Sequence, residues 1–223
     1  MPTIAIIGAG PGLGLALART FGAHGYSAAI IARNADTLDS LVATLKAEGI
    51  VAERFVADTA DAVMLAAALA DAEAQLGTID VLEFSPYSAG PSSMLDPIDV
   101  TVEKLASSIQ AQTYGAVTAV QAVLPAMRER GQGTILLTAG IGSIDPVPIF
   151  GAMNAAQAAT RNWALNLHKR LAGSGVTIAH IAIGLFIGAE PPKEGYPFRT
   201  PEDIAAEYWT IHETGNGPEL VIR

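Results

Sequence analysis

Seven residues near the start of this chain, Gly8-Ala-Gly-Pro-Gly12-Leu-Gly14, restrict its fold more than any other segment. The run Thr3–Ile7 before them is short, apolar and rich in β-branched residues, and predicts a strand. Leu13–His24 after them predicts a helix, with Leu13, Leu17, Ala18 and Phe21 on one face. Glycines at a strand-to-helix turn have separate uses. Gly8 allows the tight turn, Gly12 lets a pyrophosphate approach the backbone with no Cβ in the way, and Gly14 lets helix and sheet pack closely. A helix that starts there turns its unpaired N–H groups and partial positive charge towards phosphate. Gly8, Gly10, Pro11, Gly12, Leu13 and Gly14 are therefore candidate nucleotide contacts.

The rest of the chain continues the alternation. Strands are predicted at Ser27–Ala32, Val51–Ala57, Asp80–Phe84, Gly133–Thr138, Val176–Ile183 and, as a short last one, Leu220–Ile222. Helices are predicted at Asp36–Glu48, Ala60–Leu76, Val102–Met127 with room for a break, Phe150–Leu171 and Pro201–His212. Short apolar strands alternating with helices give an α/β fold, a doubly wound parallel sheet with helices on both faces. No linker, composition shift or repeat divides the chain, so residues 1–223 are expected to form a single Rossmann-type domain.

Composition removes several function classes. A net charge of −9 opposes nucleic-acid binding, which needs a basic face. With no cysteine there is neither a disulfide nor a thiolate metal site, and His24, His168, His180 and His212 lack a metal-binding spacing, so no metal is expected. No apolar run reaches 18 residues, and the first strand has no basic leader, so neither a membrane span nor a signal peptide is expected. The protein is expected to be cytoplasmic, with a nucleotide and a small-molecule substrate as its partners.

The end of the second strand reads Ala32-Arg33-Asn34. A carboxylate there would bond a ribose 2′-OH and repel a 2′-phosphate, whereas a guanidinium grips a 2′-phosphate. Arg33 and Asn34 therefore point to NADP(H) over NAD(H). Asp58, ending the third strand, is placed to accept from an adenine amino group or to cap the helix that follows.

These features resemble the short-chain dehydrogenase/reductase family over nearly the whole chain. Gly8, Gly12 and Gly14 match its TGxxxGxG motif, with Ile7 in the Thr position. Leu124-Pro125-Ala-Met127 is similar to the end of its long fifth helix, and Gly133–Thr138 to the strand leading to its catalytic Ser. The resemblance implies a Tyr-x-x-x-Lys pair, a Ser that orients the substrate carbonyl, and an Asn that holds a water relay. The matching positions are Phe150 and Asn154 for the pair, Thr138 or Ala139 for the Ser, and Gln112 for the Asn. The family's Asn-Asn-Ala-Gly falls on Phe84-Ser-Pro-Tyr87, or on Ser88-Ala89-Gly90 with an insertion, and Gly184 is what remains of its Pro-Gly after the sixth strand. The family's long helices also imply a homodimer or homotetramer.

A phenyl ring has no proton to give, and an amide lacks the charge that lowers a neighbour's pKa. None of Tyr26, Tyr87, Tyr114, Tyr196 and Tyr208 has a Lys four residues on, so no other register restores the pair. Removing a general acid costs roughly 10²–10⁴ in rate. Carbonyl reduction then requires a substitute donor, with Tyr87 first, Tyr114 second, and Thr138 left to bond the carbonyl. His180, inside an apolar strand, reads as a core residue. Leu185–Phe198 is apolar and Pro-rich and is placed to close over a small ligand or to form a surface loop. The expected function is an NADP(H)-dependent oxidoreductase with a degenerate catalytic site. The alternative is a silent NADP(H)-binding sensor or regulatory protein. If the surrounding geometry is preserved, Phe150→Tyr with Asn154→Lys should introduce reductase activity.

Overall fold

A computed structural model of the chain describes residues 1–87 and 94–223. The alternative reading on Ser88-Ala89-Gly90 lies outside the described residues. In chain order the elements are β1 (Thr3–Ile7), α1 (Leu13–Ala23), β2 (Ser27–Ala32), α2 (Ala35–Ala47), β3 (Ala52–Val56), α3 (Ala62–Leu76) and β4 (Ile79–Phe84). Then follow α4 (Val102–Ile109), α5 (Gly115–Arg130), β5 (Gly133–Gly140), α6 (Gly151–Arg170), β6 (Val176–Ile183), β7 (Phe186–Ile187), β8 (Phe198–Arg199), α7 (Pro201–Thr214) and β9 (Glu219–Ile222).

Seven strands form one sheet in the order β3-β2-β1-β4-β5-β6-β9, every pair parallel. Parallel strands covered on both faces should be apolar throughout. All five residues of β1 are buried, whereas edge strand β3 carries Glu53 and Arg54, charges that discourage pairing with another chain. Side chains alternate between two cores. On one face Ile6, Val81 and Leu136 pack with Leu17, Phe21, Leu38, Ile204 and Tyr208 from α1, α2 and α7. On the other, Ile7, Leu82 and Leu137 pack with Leu65, Leu69, Val120 and Ala164 from α3, α5 and α6. Among the described residues no helix is long and apolar enough to cross a membrane.

The strand order explains where a ligand can go. From β1 the chain winds outward to β2 and β3, then returns to β4 on the other side of β1 and winds away in the opposite direction. The loops leaving β1 and β4 therefore diverge, and a crevice opens beyond their carboxyl ends.

The break allowed for in the helix Val102–Met127 is a π-helical turn, Gln110–Tyr114, between α4 and α5; such widened turns collect at functional sites. The β7–β8 pair, two residues per strand, was not anticipated, being too short for any periodicity to show.

Gly8 has φ +89°, and a Cβ there would lie 2.6 Å from Pro86 Cα. Gly8→Ala should therefore lower stability by about 1–3 kcal/mol in urea unfolding, from backbone strain plus a clash with main chain. Gly12, whose Cβ position meets nothing within 4 Å, should tolerate Ala with a smaller loss.

Candidate active site

The glycine loop lies at the head of the crevice. The N–H groups of Gly8 and Ala9 both donate to the Ile31 carbonyl, which ties the turn to β2. A Cβ on Gly14 would meet Ala9 Cα at 2.9 Å, so α1 can seat here only on a glycine. Gly10 and Gly12, by contrast, face open space. The N-terminus of α1 has no side-chain cap and no acidic residue in its first turn. Bare backbone, empty space and an uncapped helix start suit a pyrophosphate. Pro11 is exposed on the outside of the turn.

Two cavities run from this loop, and both include Gly8, Gly10 and Tyr87. The outer one, about 280 Å³, brings together Arg33, Asn34, Asp58 and Gln112. Arg33 and Asp58 stand 4.0 Å apart with both side chains well exposed, a pair that contributes little to stability. Asn34 caps α2 by accepting from the Thr37 N–H, so part of its capacity is already committed. Asp58 accepts from the Ala60 N–H in a local turn. The cap of α3 is Asp61 rather than Asp58, because the helix starts two residues later than Ala60. Gln112 donates to the Pro86 carbonyl at 2.8 Å and fastens the π turn to the end of β4.

The inner cavity is larger, about 520 Å³, and lies at the ends of β4 and β5. Leu185, Phe186 and Ile187 form an apolar wall of the crevice, whereas residues 189–198 are exposed, so the segment after β6 is part cavity wall and part surface loop. Ser85, Thr138 and Gln157 supply polar groups, Gln157 being held by the Gly140 N–H at 3.0 Å. Tyr87 is 60% exposed at the junction of the two cavities. Thr138 and Tyr87, both candidates from the sequence, therefore do share one space.

Behind Thr138 is a group the sequence reading did not single out. Glu83 is fully buried in β4. Thr138 Oγ1 donates to its Oε1 at 2.7 Å, and Ser85 Oγ donates to its Oε2 at 2.9 Å. Thr138 Oγ1 is also 2.8 Å from the hydroxyl of Tyr208, itself fully buried on α7. No basic side chain pairs with Glu83 among the described residues. Burial disfavours the ionised carboxylate and pushes Glu83 up to about 8, against the opposing pull of its two hydroxyl donors. Burial likewise drives the Tyr208 phenol well above its usual value, with Glu83 adding to the shift. A carboxyl inside the otherwise apolar run Val81-Leu-Glu-Phe84 was the available signal. Gln157 was missed because helical spacing does not reveal which side chain meets a strand end.

Other sequence candidates sit elsewhere. Phe150 precedes α6, where its neighbours Ile149 and Gly151 bond to Leu95. Asn154 is 7% exposed; its amide donates to the Val147 carbonyl at 2.7 Å, and its oxygen fills the space a Cβ on Gly142 would need. Neither side chain lines either cavity. Tyr114 and Gly184 do not line them either; the wall passes through Ile183 and Leu185, with Gly184 pressed against Ile141. His180 lies in the core as expected, but only half satisfied. Its Nδ1 is 3.1 Å from Glu219 Oε1, Nε2 has no partner among the described residues, and burial lowers its pKa to about 4 despite Glu219.

Because Asn154 belongs to the packing of the loop after β5, Asn154→Lys should cost roughly 1–3 kcal/mol in thermal or urea unfolding. With Phe150→Tyr it should yield no reductase activity, since neither Phe150 nor Asn154 lines the inner cavity. Glu83 makes a separate prediction. Between its usual 4.5 and about 8 the folded protein keeps a proton that the unfolded chain releases. Stability should therefore fall as pH rises through that window, by at most roughly 1.4 kcal/mol per unit, and level off above it. Denaturant midpoints across pH should show this slope in the wild type and lack it in Glu83→Gln.

Comparison with known proteins places this geometry. The short chain dehydrogenase family pattern matches residues 2–189. The chain is 28% identical to 2-(S)-hydroxypropyl-CoM dehydrogenase 3 of Xanthobacter autotrophicus, over 91% of this chain and 86% of that protein. Of several other curated relatives it spans only 53–62% of the length. In structure it is similar to L-sorbose reductase from Gluconobacter frateurii complexed with NADPH and L-sorbose, with TM-score 0.86 and 21% identity, over 99% of this chain and 94% of that one. It is equally similar to an NADPH-bound short chain oxidoreductase from Pseudomonas aeruginosa containing an atypical catalytic center, with TM-score 0.85 and 20% identity over 99% and 94% of the two chains. The glycine loop, the parallel sheet and the extent of the match together make this chain a member of the short-chain dehydrogenase family.

Proposed function

We propose that the protein is an NADP(H)-dependent oxidoreductase acting on a small carbonyl or alcohol, with its proton supplied outside the Tyr-x-x-x-Lys position. The observation that carries this reading is the continuity of the two cavities through Gly8, Gly10 and Tyr87. One end carries Arg33 and Asp58, suited to a phosphorylated ribose and an adenine; the other carries hydroxyls against an apolar wall. Gly10 and Gly12 leave room for the phosphates between them. NADPH in two of the structural neighbours adds support by analogy.

When bound, a reduced nicotinamide supplies a hydride to a carbonyl carbon and is itself oxidised, leaving the need for one proton at the carbonyl oxygen. The chain's own residues have distinct tasks. Arg33 would hold the 2′-phosphate, and the start of α1 would offset the charge of the pyrophosphate. Gln112 keeps the Pro86 carbonyl and the π turn in place. Leu185, Phe186 and Ile187 exclude water and select an apolar substrate body. Thr138 bonds the carbonyl oxygen.

A second reading, an NADP(H)-binding sensor without turnover, is favoured by the placement of Phe150 and Asn154 away from the cavities. Both readings require the nucleotide. Calorimetric titration should show NADPH binding more tightly than NADH, and Arg33→Ala should weaken NADPH by about 10-fold or more while leaving NADH nearly unchanged. Failure of both nucleotides to bind would overturn both readings. Turnover in a screen of ketones and alcohols with bound NADP(H) separates the enzyme from the sensor.

A further inference from the structure

We propose that Glu83 is a buried proton store for the inner cavity, and that the Thr138 hydroxyl passes its proton to an oxygen bound there. The inference rests on the oxidoreductase reading above and names the proton source that reading leaves open. Four observations carry it. Glu83 has no access to solvent of its own. Both of its oxygens are bonded to hydroxyls, from Thr138 and Ser85, and both of those residues line the cavity. No cation stabilises its ionised form among the described residues. A third hydroxyl, that of Tyr208, stands behind Thr138 at 2.8 Å.

Hydrogen-bond capacity fixes the direction of each step. With Glu83 protonated, its O–H donates to Thr138 Oγ1, and the Tyr208 O–H donates to the same oxygen. Both lone pairs of Thr138 are then used, and its own proton is free to point into the cavity. As a carbonyl carbon gains hydride from a reduced nicotinamide, which is thereby oxidised, Thr138 gives that proton to the carbonyl oxygen and takes the Glu83 proton in its place. The carbonyl has become an alcohol and Glu83 a carboxylate. The new carboxylate keeps the Ser85 O–H on Oε2 and receives the Thr138 O–H on Oε1, across the same contacts of 2.9 and 2.7 Å. Reprotonation from the cavity through either hydroxyl resets the store. In alcohol oxidation the steps run backwards.

The surroundings favour a neutral store. β1 and β5 place Ile6 and Leu136 beside Glu83 in register. From α7 the titratable neighbours are Tyr208 and, one turn on, His212, held between Tyr26 and Thr134 and lowered chiefly by burial. Glu202, Asp203 and Glu213 of α7 are exposed, and Glu207 pairs with Arg199. Arg19 of α1 is turned to Glu48. The raised pKa of Glu83, about 8, agrees with this environment.

Infrared spectroscopy of the nucleotide-free protein tests the proposal without a substrate. At neutral pH the wild type should show the C=O stretch of a protonated carboxyl that fades as pH passes about 8, and Glu83→Gln should lack that band. On transfer to D2O the band should shift promptly in the wild type. In Thr138→Val with Ser85→Ala it should shift about tenfold more slowly or worse, because exchange then waits on local opening of the core. A wild type without the band at neutral pH overturns the proposal whatever the variants do. So does exchange that is equally fast without the two hydroxyls. Calorimetry with NADPH on the same samples reads the cofactor site separately: binding without the carboxyl band refutes the store alone, and no binding refutes the oxidoreductase reading.

Discussion

Everything in the crevice depends on how closely the turn after β1 meets the end of β4. The approach is so tight that a single methyl on Gly8 would overlap the backbone of Ser85 and Pro86. Contact at this point sets the separation of the two strands where the chain reverses its winding direction. It places Ser85 and Tyr87 beside the glycine loop, and it gives the two cavities their shared wall. Thr138 joins them because β5 is the next strand along, its residues in register with β4 through Phe84 and Leu137. A helix start free of side chains then faces the space left over.

The same sheet solves one electrostatic problem in two ways. Leaving water costs an ionised group several kcal/mol unless something compensates. At the β6–β9 edge a carboxylate remains charged because Arg161 grips Glu219 through two bonds of 2.5 and 2.9 Å, and its other neighbour, His180, gives up its proton instead. In the middle of the sheet Glu83 has no cation beside it among the described residues, and burial keeps its proton on well above the usual carboxyl range, against the pull of its two hydroxyl partners. An ionisable group kept in a core without an ion pair costs least when it is neutral and hydrogen-bonded. Its position behind a cavity-lining hydroxyl gives that cost a chemical use.

The layered α/β architecture could be read from the pattern of strands and helices, since a buried parallel sheet demands apolar runs and the glycine loop demands a strand before it and a helix after it. Element ends were less legible. Asp58 and Asp61 both suit a helix cap, and only the path of the chain assigned the cap to Asp61. The break in the long helix was foreseeable as a break, but the π turn that aims Gln112 at Pro86 was not. Phe150 and Asn154 were recognisable by motif position, yet the sequence could not show that Asn154 had been absorbed into the packing of the loop after β5. Glu83 was visible only as an anomaly, one acid in an apolar strand.

By itself the sequence determined the order of elements, the glycine-rich turn after the first strand and the side chains, Phe150 and Asn154, that stand at the start of α6. These are local matters: β-branching, glycine conformation and the chemistry of single side chains. Tertiary structure alone decided which polar groups share a cavity. Glu83, Thr138, Ser85 and Tyr208 come from β4, β5, the turn after β4, and α7, and the bonds from Thr138 span 55 and 70 residues of sequence. No periodicity links residues so far apart; strand register and the seating of α7 on the sheet bring them within hydrogen-bond reach.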